Sequence, residues 1–266
     1  LLEVVCRHAF EKLHLRKIFA GVFVQNIPSQ KLLEKVGFKE IGVSHKHYLK
    51  EGIEYDSARY ELLVEDFFGK KVAIPSQKKK RIFHHVSDKS VTLKTKNLEF
   101  RTLQEEDSKI VFDALQEFPG FDTYVMWNMP QNKEEVVEKI IKTRDLPDLN
   151  FGVYQKDQFI GRVIIRNFRF SQESALKNSA FISFWVLPPY EKYSLELLTE
   201  ICRYGFKDRK LRKIFAPIFA ENVRVKNVIN QLPFKPVGRL RNHYLKNEVE
   251  HDSLRYEILA EDWDNK

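Results

Sequence analysis

The sequence predicts a mixed α+β fold, and three observations predict it. Stretches whose apolar residues recur every three to four positions alternate with stretches of period two, so helices and strands interleave along the chain. Hydrophobic residues make up 43% and charged residues 31% of the 266 positions, the balance of a chain that buries a core. Residues 1–66 also return, without a gap, as residues 197–262, with roughly four in ten paired positions identical.

That self-match sets the domain plan. Leu15-Arg16-Lys17-Ile18-Phe19-Ala20 returns as Leu211-Arg212-Lys213-Ile214-Phe215-Ala216, and His47-Tyr48-Leu49-Lys50 as His243-Tyr244-Leu245-Lys246. Asp56-Ser57 with Arg59-Tyr60-Glu61 returns as Asp252-Ser253 with Arg255-Tyr256-Glu257. A long segment, residues 91–196, precedes the second copy and has no counterpart before the first, and the chain opens on Leu1. The expected plan is the C-terminal half of a truncated first domain at 1–68, a linker at 69–90 and a complete second domain at 91–266.

In order, residues 1–13 carry Leu2, Val5, Cys6, Ala9, Phe10 and Leu13 at helical spacing, and residues 17–24 alternate as a half-buried strand. Asn26-Ile27-Pro28-Ser29 opens a second helix, with Asn26 or Ser29 as cap and Pro28 in the first turn; Gly37 supplies the left-handed stop. Residues 38–43 and 44–49 read as strand, Gly52 as a turn, and residues 55–64 as a strand with Ser57, Arg59 and Glu61 on one face. Gly69, Pro75 and Ser76 break structure in the linker, where Lys78-Lys79-Lys80-Arg81 is either a solvated connector or a contact for RNA.

In the second domain residues 98–101 form a short strand, and Thr102-Leu103-Gln104-Glu105 has capping-box spacing before a helix through Phe112 and Leu115, ended by Phe118-Pro119-Gly120. Asn132-Lys133-Glu134-Glu135 starts another helix, which stops before Pro147. Residues 151–154 and 159–167 make a hairpin about Lys156-Asp157, and residues 180–187 an apolar strand closed by Pro188-Pro189. The repeated helix, strand, helix, strand, strand follows.

The formal net charge is +8, which favours phosphate-bearing ligands, RNA or other acidic partners. Cys6 and Cys202 occupy the same position of the two copies, which suits buried thiols in a reducing, cytoplasmic setting rather than a disulfide. No apolar run approaches membrane-spanning length and no signal peptide is visible.

The order strand, two helices, three strands, helix, strand, helix, two strands resembles the GCN5-related N-acetyltransferases (GNAT), most closely the RimJ/RimL-like ribosomal-protein N-terminal acetyltransferases. Leu98-Glu99-Phe100-Arg101-Thr102-Leu103 with Glu106-Asp107, Phe159-Ile160-Gly161 and Phe184-Trp185-Val186-Leu187-Pro188-Pro189-Tyr190 carry the resemblance in the second domain. In the first copy Asn26-Ile27-Pro28-Ser29, Leu33-Glu34-Lys35-Val36-Gly37-Phe38, Tyr48-Leu49-Lys50 and Glu65-Asp66-Phe67 carry it. The resemblance implies a mostly antiparallel sheet whose two parallel strands splay apart, flanked by helices, with acetyl-CoA as co-substrate and no metal. Residues 182–187, including Phe184, Trp185, Val186 and Leu187, would hydrogen-bond the pantetheine as an added strand does. Lys192, Tyr193 and Ser194 would face the pyrophosphate at the next helix N-terminus. Asn26 and Asn222 would lie near the thioester sulfur, and Ser29 would protonate the leaving thiolate, although Asn26 and Ser29 also read simply as caps.

The chain departs from the family where phosphates are expected. After Tyr190 stands Glu191-Lys192-Tyr193-Ser194-Leu195, without the glycines that let backbone approach an anion, and Glu191 is an adverse charge. Val225 replaces Ser29 and Pro233 replaces Gly37, so the second domain is expected to be the degenerate copy. Glu117, Asp122 and Glu173 are candidate bases or ordinary surface charges; Phe121, Tyr124 and Trp127 belong to an acceptor loop or to the core; His45 and His47 read as surface residues rather than ligands. The leading expectation is acetyl transfer to a primary amine, including a protein N-terminus. The alternatives are an inert GNAT-fold module that binds a partner or sets dimer geometry, and a ribosome- or RNA-associated protein contacting RNA through the linker.

Overall fold

A computed structural model describes residues 1–70, 90–142, 149–167 and 178–265. The basic cluster at 78–81, nearly all of the 69–90 linker and Glu173 lie outside the described residues. Contacts gather into two compact units, one drawn mainly from residues 1–80 and the other mainly from residues 81–266.

The first unit runs α1 (Leu2–Glu11), β1 (Lys17–Phe23), α2 (Ile27–Val36), β2 (Lys39–Lys50), β3 (Ile53–Leu63), α3 (Val64–Phe68). Its three strands are antiparallel in the order β1-β3-β2, and Cys6, Phe10, Leu33, Phe38, Tyr60 and Leu62 form its core. Asn26 Oδ1 accepts the Ser29 N–H at 3.2 Å, and Gly37 closes α2 at φ 99°, a left-handed conformation that glycine adopts without a Cβ penalty. The two strand segments expected at 38–49 are one strand, bent by irregular register between Glu40 and Gly42 and between Ser44 and Tyr48. The polar face of β3 is not solvated: Ser57 and Glu61 are fully buried, and Lys17 Nζ meets Glu61 Oε2 at 2.9 Å.

The second unit opens with β4 (Thr92–Lys94), too short for a periodic signal, then β5 (Glu99–Thr102) and α4 (Ser108–Gln116). Thr102 does not cap α4, because it stays in β5 opposite Phe151; the capping box forms two residues later, between Gln104 and Asp107. Next come α5 (Lys133–Val136), running into a π-helical turn at Val137–Ile141, then β6 (Leu149–Gln155) and β7 (Gln158–Asn167). Lys156 and Asp157 both take positive φ, the primed turn a tight hairpin requires. Asn150, buried in β6, donates to Ile140 O and Ile141 O at 2.7 Å each and so ties off the α5 segment.

The unit continues through β8 (Ser179–Val186), α6 (Ser194–Arg203), β9 (Lys213–Phe219), α7 (Val223–Ile229), β10 (Lys235–Lys246), β11 (Val249–Leu259) and α8 (Ala260–Asp264). Eight strands lie in the order β10-β11-β9-β8-β7-β6-β5-β4. Of the registered pairs only β8–β9 is parallel. One face packs Leu197, Leu198 and Ile201 of α6 against Phe151, Val163 and Ile182; the other packs Leu115 of α4 and Ile140 against Phe159 and Trp185. This is the mixed, mostly antiparallel sheet between helices that the sequence predicts.

The last six elements named in the second unit, α6 to α8, repeat the six of the first at a sequence offset of 196 residues, and β9 pairs with β11 in the register of β1 with β3. The buried ion pair recurs too, Lys213 Nζ to Glu257 Oε2 at 3.0 Å. The surroundings differ. β9 is interior whereas β1 is an edge strand, so Phe215 is 9% exposed and its counterpart Phe19 45%. Ring contact from Phe181 of β8 covers Phe215 at 5.5 Å.

Removing one partner of a buried ion pair leaves a charge without compensation, which costs about 3–5 kcal/mol. Lys213→Met should therefore lower stability by that amount, whereas Lys213→Met with Glu257→Leu should recover most of it; urea unfolding of the full chain checks both.

Candidate active site

β8 and β9 pair at Ser179–Lys213, Ala180–Ile214 and Phe181–Phe215, and then part. Each strand is held on its other side: β8 stays on β7 as far as Val186, and β9 on β11 as far as Phe219. The gap is therefore a fixed feature of the sheet. The Leu187 N–H donates to Ile160 O at 2.7 Å on the β7 side. Backbone groups alternate sides along a strand, so the N–H and C=O of Phe184 and Val186 point away from β7, into the gap.

The gap opens into a cleft of about 870 Å³. Phe184, Trp185 and Val186 form one wall, and Asn222 and Val225 of the β9–α7 junction the other; Phe121 and Tyr124 come from the loop after α4. Trp185 meets Phe121, Trp127 and Phe159 edge-on at ring separations of 5.2, 5.7 and 5.8 Å. Among the described residues its Nε1 is buried without a hydrogen-bond partner. Behind it, burial and then Asp107 push the Tyr154 phenol up to about 12, so it stays protonated at neutral pH.

The aromatic loop is pinned from β10. Lys246 Nζ donates to Asp122 Oδ2 at 2.9 Å and to Trp127 O at 2.6 Å, and Asp122 Oδ2 also accepts the Met129 N–H at 3.3 Å. Asp122 thus orders the loop. Phe121 and Tyr124 line the cleft, while Trp127 packs on Trp185.

The other residues singled out from sequence fall in distinct places. Ser194, at the start of α6, lines the cleft and is buried. Leu187 is buried in the core, and Lys192 places Nζ 5.1 Å from the centre of the Tyr193 ring. Neither Lys192 nor Tyr193 lines the cleft. Asn222 lines it while its Oδ1 accepts the Val225 N–H at 3.2 Å, the contact Asn26 makes with Ser29. Asn26 and Ser29 belong to the first unit. There, His45 Nδ1 lies 3.0 Å from Asp56, and His47 contacts Ser44 and Arg59. In place of the Gly37 stop, Pro233 follows an α7 that ends at Ile229, three residues short of the α2 counterpart.

Sequence reasoning passed over Glu221 and Arg224, which also line the cleft; Arg224 pairs with Glu191. The signal was available, since both residues lie within five positions of the end of β9. Glu117 lines the cleft as well.

A profile of the acetyltransferase (GNAT) domain matches residues 1–58 and 100–254. The chain belongs to the GNAT acetyltransferase family. It is 20% identical over 174 residues to the uncharacterized N-acetyltransferase YoaA of Bacillus subtilis, spanning 63% of this chain and 96% of that protein. A GCN5-related N-acetyltransferase from Brucella melitensis superposes with a TM-score of 0.57 at 17% identity, over 67% of this GNAT chain and 82% of its own. The spermidine N-acetyltransferase of Vibrio cholerae, solved with CoA and spermine, gives 0.53 at 20% identity over 64% of this chain and 100% of its own. These likenesses support the fold; the cleft's own residues carry its chemistry.

The cleft fits one end of acetyl-CoA. The free backbone edge of Phe184 and Val186 offers the donors and acceptors that the amides and carbonyls of a pantetheine arm would meet. Among the described residues, the turn after β8 offers no glycine-lined approach for phosphates.

Lys246→Met removes the donors that hold Asp122 and Trp127 O. Losing a charged hydrogen bond of this kind costs about 1.5–3 kcal/mol, so amide exchange across residues 121–127 should speed up by roughly tenfold or more. Exchange–mass spectrometry checks this, and an unchanged loop would show that it is held elsewhere.

Proposed function

We propose that this protein is a tandem N-acetyltransferase of the RimJ/RimL type, moving an acetyl group from a pantetheine thioester to a primary amine such as a protein N-terminus. The observation that carries the reading is the parting of β8 from β9, with the Phe184 and Val186 backbone edge left free. When bound there, the thioester supplies an activated acyl carbon. The protein's task is to hold the arm extended, donate to its carbonyls and keep water out with Phe121, Phe184 and Trp185. The carboxylates of Glu117, Glu191 and Glu221 around the cleft favour a cationic acceptor. The spermidine enzyme that shares the fold was solved with CoA and an amine of this class, which agrees with the reading.

The matched strand lengths, the shared register and the repeated ion pair support descent of residues 1–66 and 197–262 from one duplicated segment. In this reading the first copy retains Ser29, whose hydroxyl is the candidate acid for the leaving thiolate, while Val225 and Pro233 mark the second as the weaker copy.

With acetyl thioester present, free thiol should appear only when a primary amine is added, and a tertiary amine should give none. Ligand at about 100 times its Kd should stabilise the protein by about 2.7 kcal/mol in a thermal melt. A melt that does not move, with no amine-dependent thiol, would leave the inert-module reading standing.

A further inference from the structure

The end of the cleft where a nucleotide diphosphate would lie is built against anions. After β8 the chain turns through a 3₁₀ segment, Pro188–Tyr193, that runs directly into α6. Pro188 and Pro189 have no N–H to offer. The Tyr190 N–H is spent on Leu187 O at 2.9 Å, and the Ser194 N–H on Glu191 O. Both ends of the turn are thus closed by its own backbone, and these two amides are not free to cradle a phosphate.

Charge points the same way. Although the chain carries a net +8, the charged residues lining this cleft, among those described, are three carboxylates, Glu117, Glu191 and Glu221, and one guanidinium, Arg224. Arg224 projects from the first turn of α7 and pairs with Glu191 on the turn after β8, so the pair spans the two lips of the gap. Glu191 thus engages the one guanidinium of the lining. Lys192, the other nearby cation, rests on the Tyr193 ring outside the lining. Farther in, the walls are aromatic and the exposed β8 edge is electrically neutral.

We infer that the second unit's cleft recognises the pantetheine arm of an acyl thioester and not the nucleotide diphosphate, with Glu191 as the residue that sets this specificity. The inference rests on reading the cleft as a thioester site. Its ligand class is the uncharged acyl-pantetheine arm, for which phosphates add no affinity.

The test compares acetyl-CoA with acetyl-pantetheine, both titrated calorimetrically into the full chain at low and at moderate salt. Expected are affinities within about threefold of each other, and no weakening of acetyl-CoA as salt rises. Glu191→Lys reverses one charge at the lip and frees Arg224, and should tighten acetyl-CoA by about tenfold while leaving acetyl-pantetheine unchanged. Acetyl-CoA binding tenfold or more above acetyl-pantetheine in the unaltered chain, with affinity falling as salt rises, would overturn the inference. So would a Glu191→Lys protein with unaltered preference. Binding of neither thioester would instead remove the thioester reading itself, and the inference with it. The salt series on the unaltered chain decides the question even where the variant is unstable.

Discussion

Three residue pairs between two parallel strands, and no more, are the constraint on which the rest of this fold turns. A strand in a sheet normally satisfies its backbone on both sides; beyond Phe181, β8 does so only toward β7. What remains is a row of amides and carbonyls inside a cleft, in want of an extended partner. Aromatic side chains, Phe121, Tyr124, Phe184 and Trp185, line the cleft around that row. Trp185 anchors that wall, buried against the rings of Phe121, Trp127 and Phe159.

The helices and their packing serve this gap. On one face α6 seals the sheet with Leu197, Leu198 and Ile201; on the other α4 and the α5 segment bury Trp185 and Phe159. The loop between α4 and α5 packs Phe121 and Trp127 on Trp185 and is tied down by Lys246, whose ammonium reaches across 124 residues of sequence to Asp122. A buried ammonium held by a carboxylate and a carbonyl keeps a loop in place at a cost that only good geometry offsets. In the first copy the same position, Lys50, is exposed at the end of β2. The residue is shared; the task is not.

Much of this was legible in the sequence, and the limits have physical causes. The cap at Asn26, the Gly37 stop and the Lys156–Asp157 turn follow local rules, and a window of a few residues contains all the physics they need. β4 escaped because three residues cannot show a period. The capping box slipped by two because Thr102 had a competing engagement in β5 that only the partner strand reveals. Glu191 was recognisable as an adverse charge, but its pairing with Arg224 was not, because the two residues meet only when the strands preceding them diverge from a common origin. Long-range pairs of this sort are set by topology, and sequence spacing is silent about them.

The two copies also separate what the fold needs from what chemistry needs. Asn26 and Asn222 make the same contact at the same 3.2 Å, and in both cases the partner is a backbone N–H. The cap therefore places no demand on the side chain three residues on, and Val225 serves there as well as Ser29 does. Helix formation gives no reason to keep a hydroxyl at that point, since a β-branched apolar residue is accepted with the cap intact. If stability alone shaped these positions, serine and valine would be interchangeable in either copy. A measurable difference in acyl transfer between them would therefore report chemistry that the cap cannot supply, which is why the Ser29 hydroxyl, rather than the shared asparagine, is the informative residue of the pair.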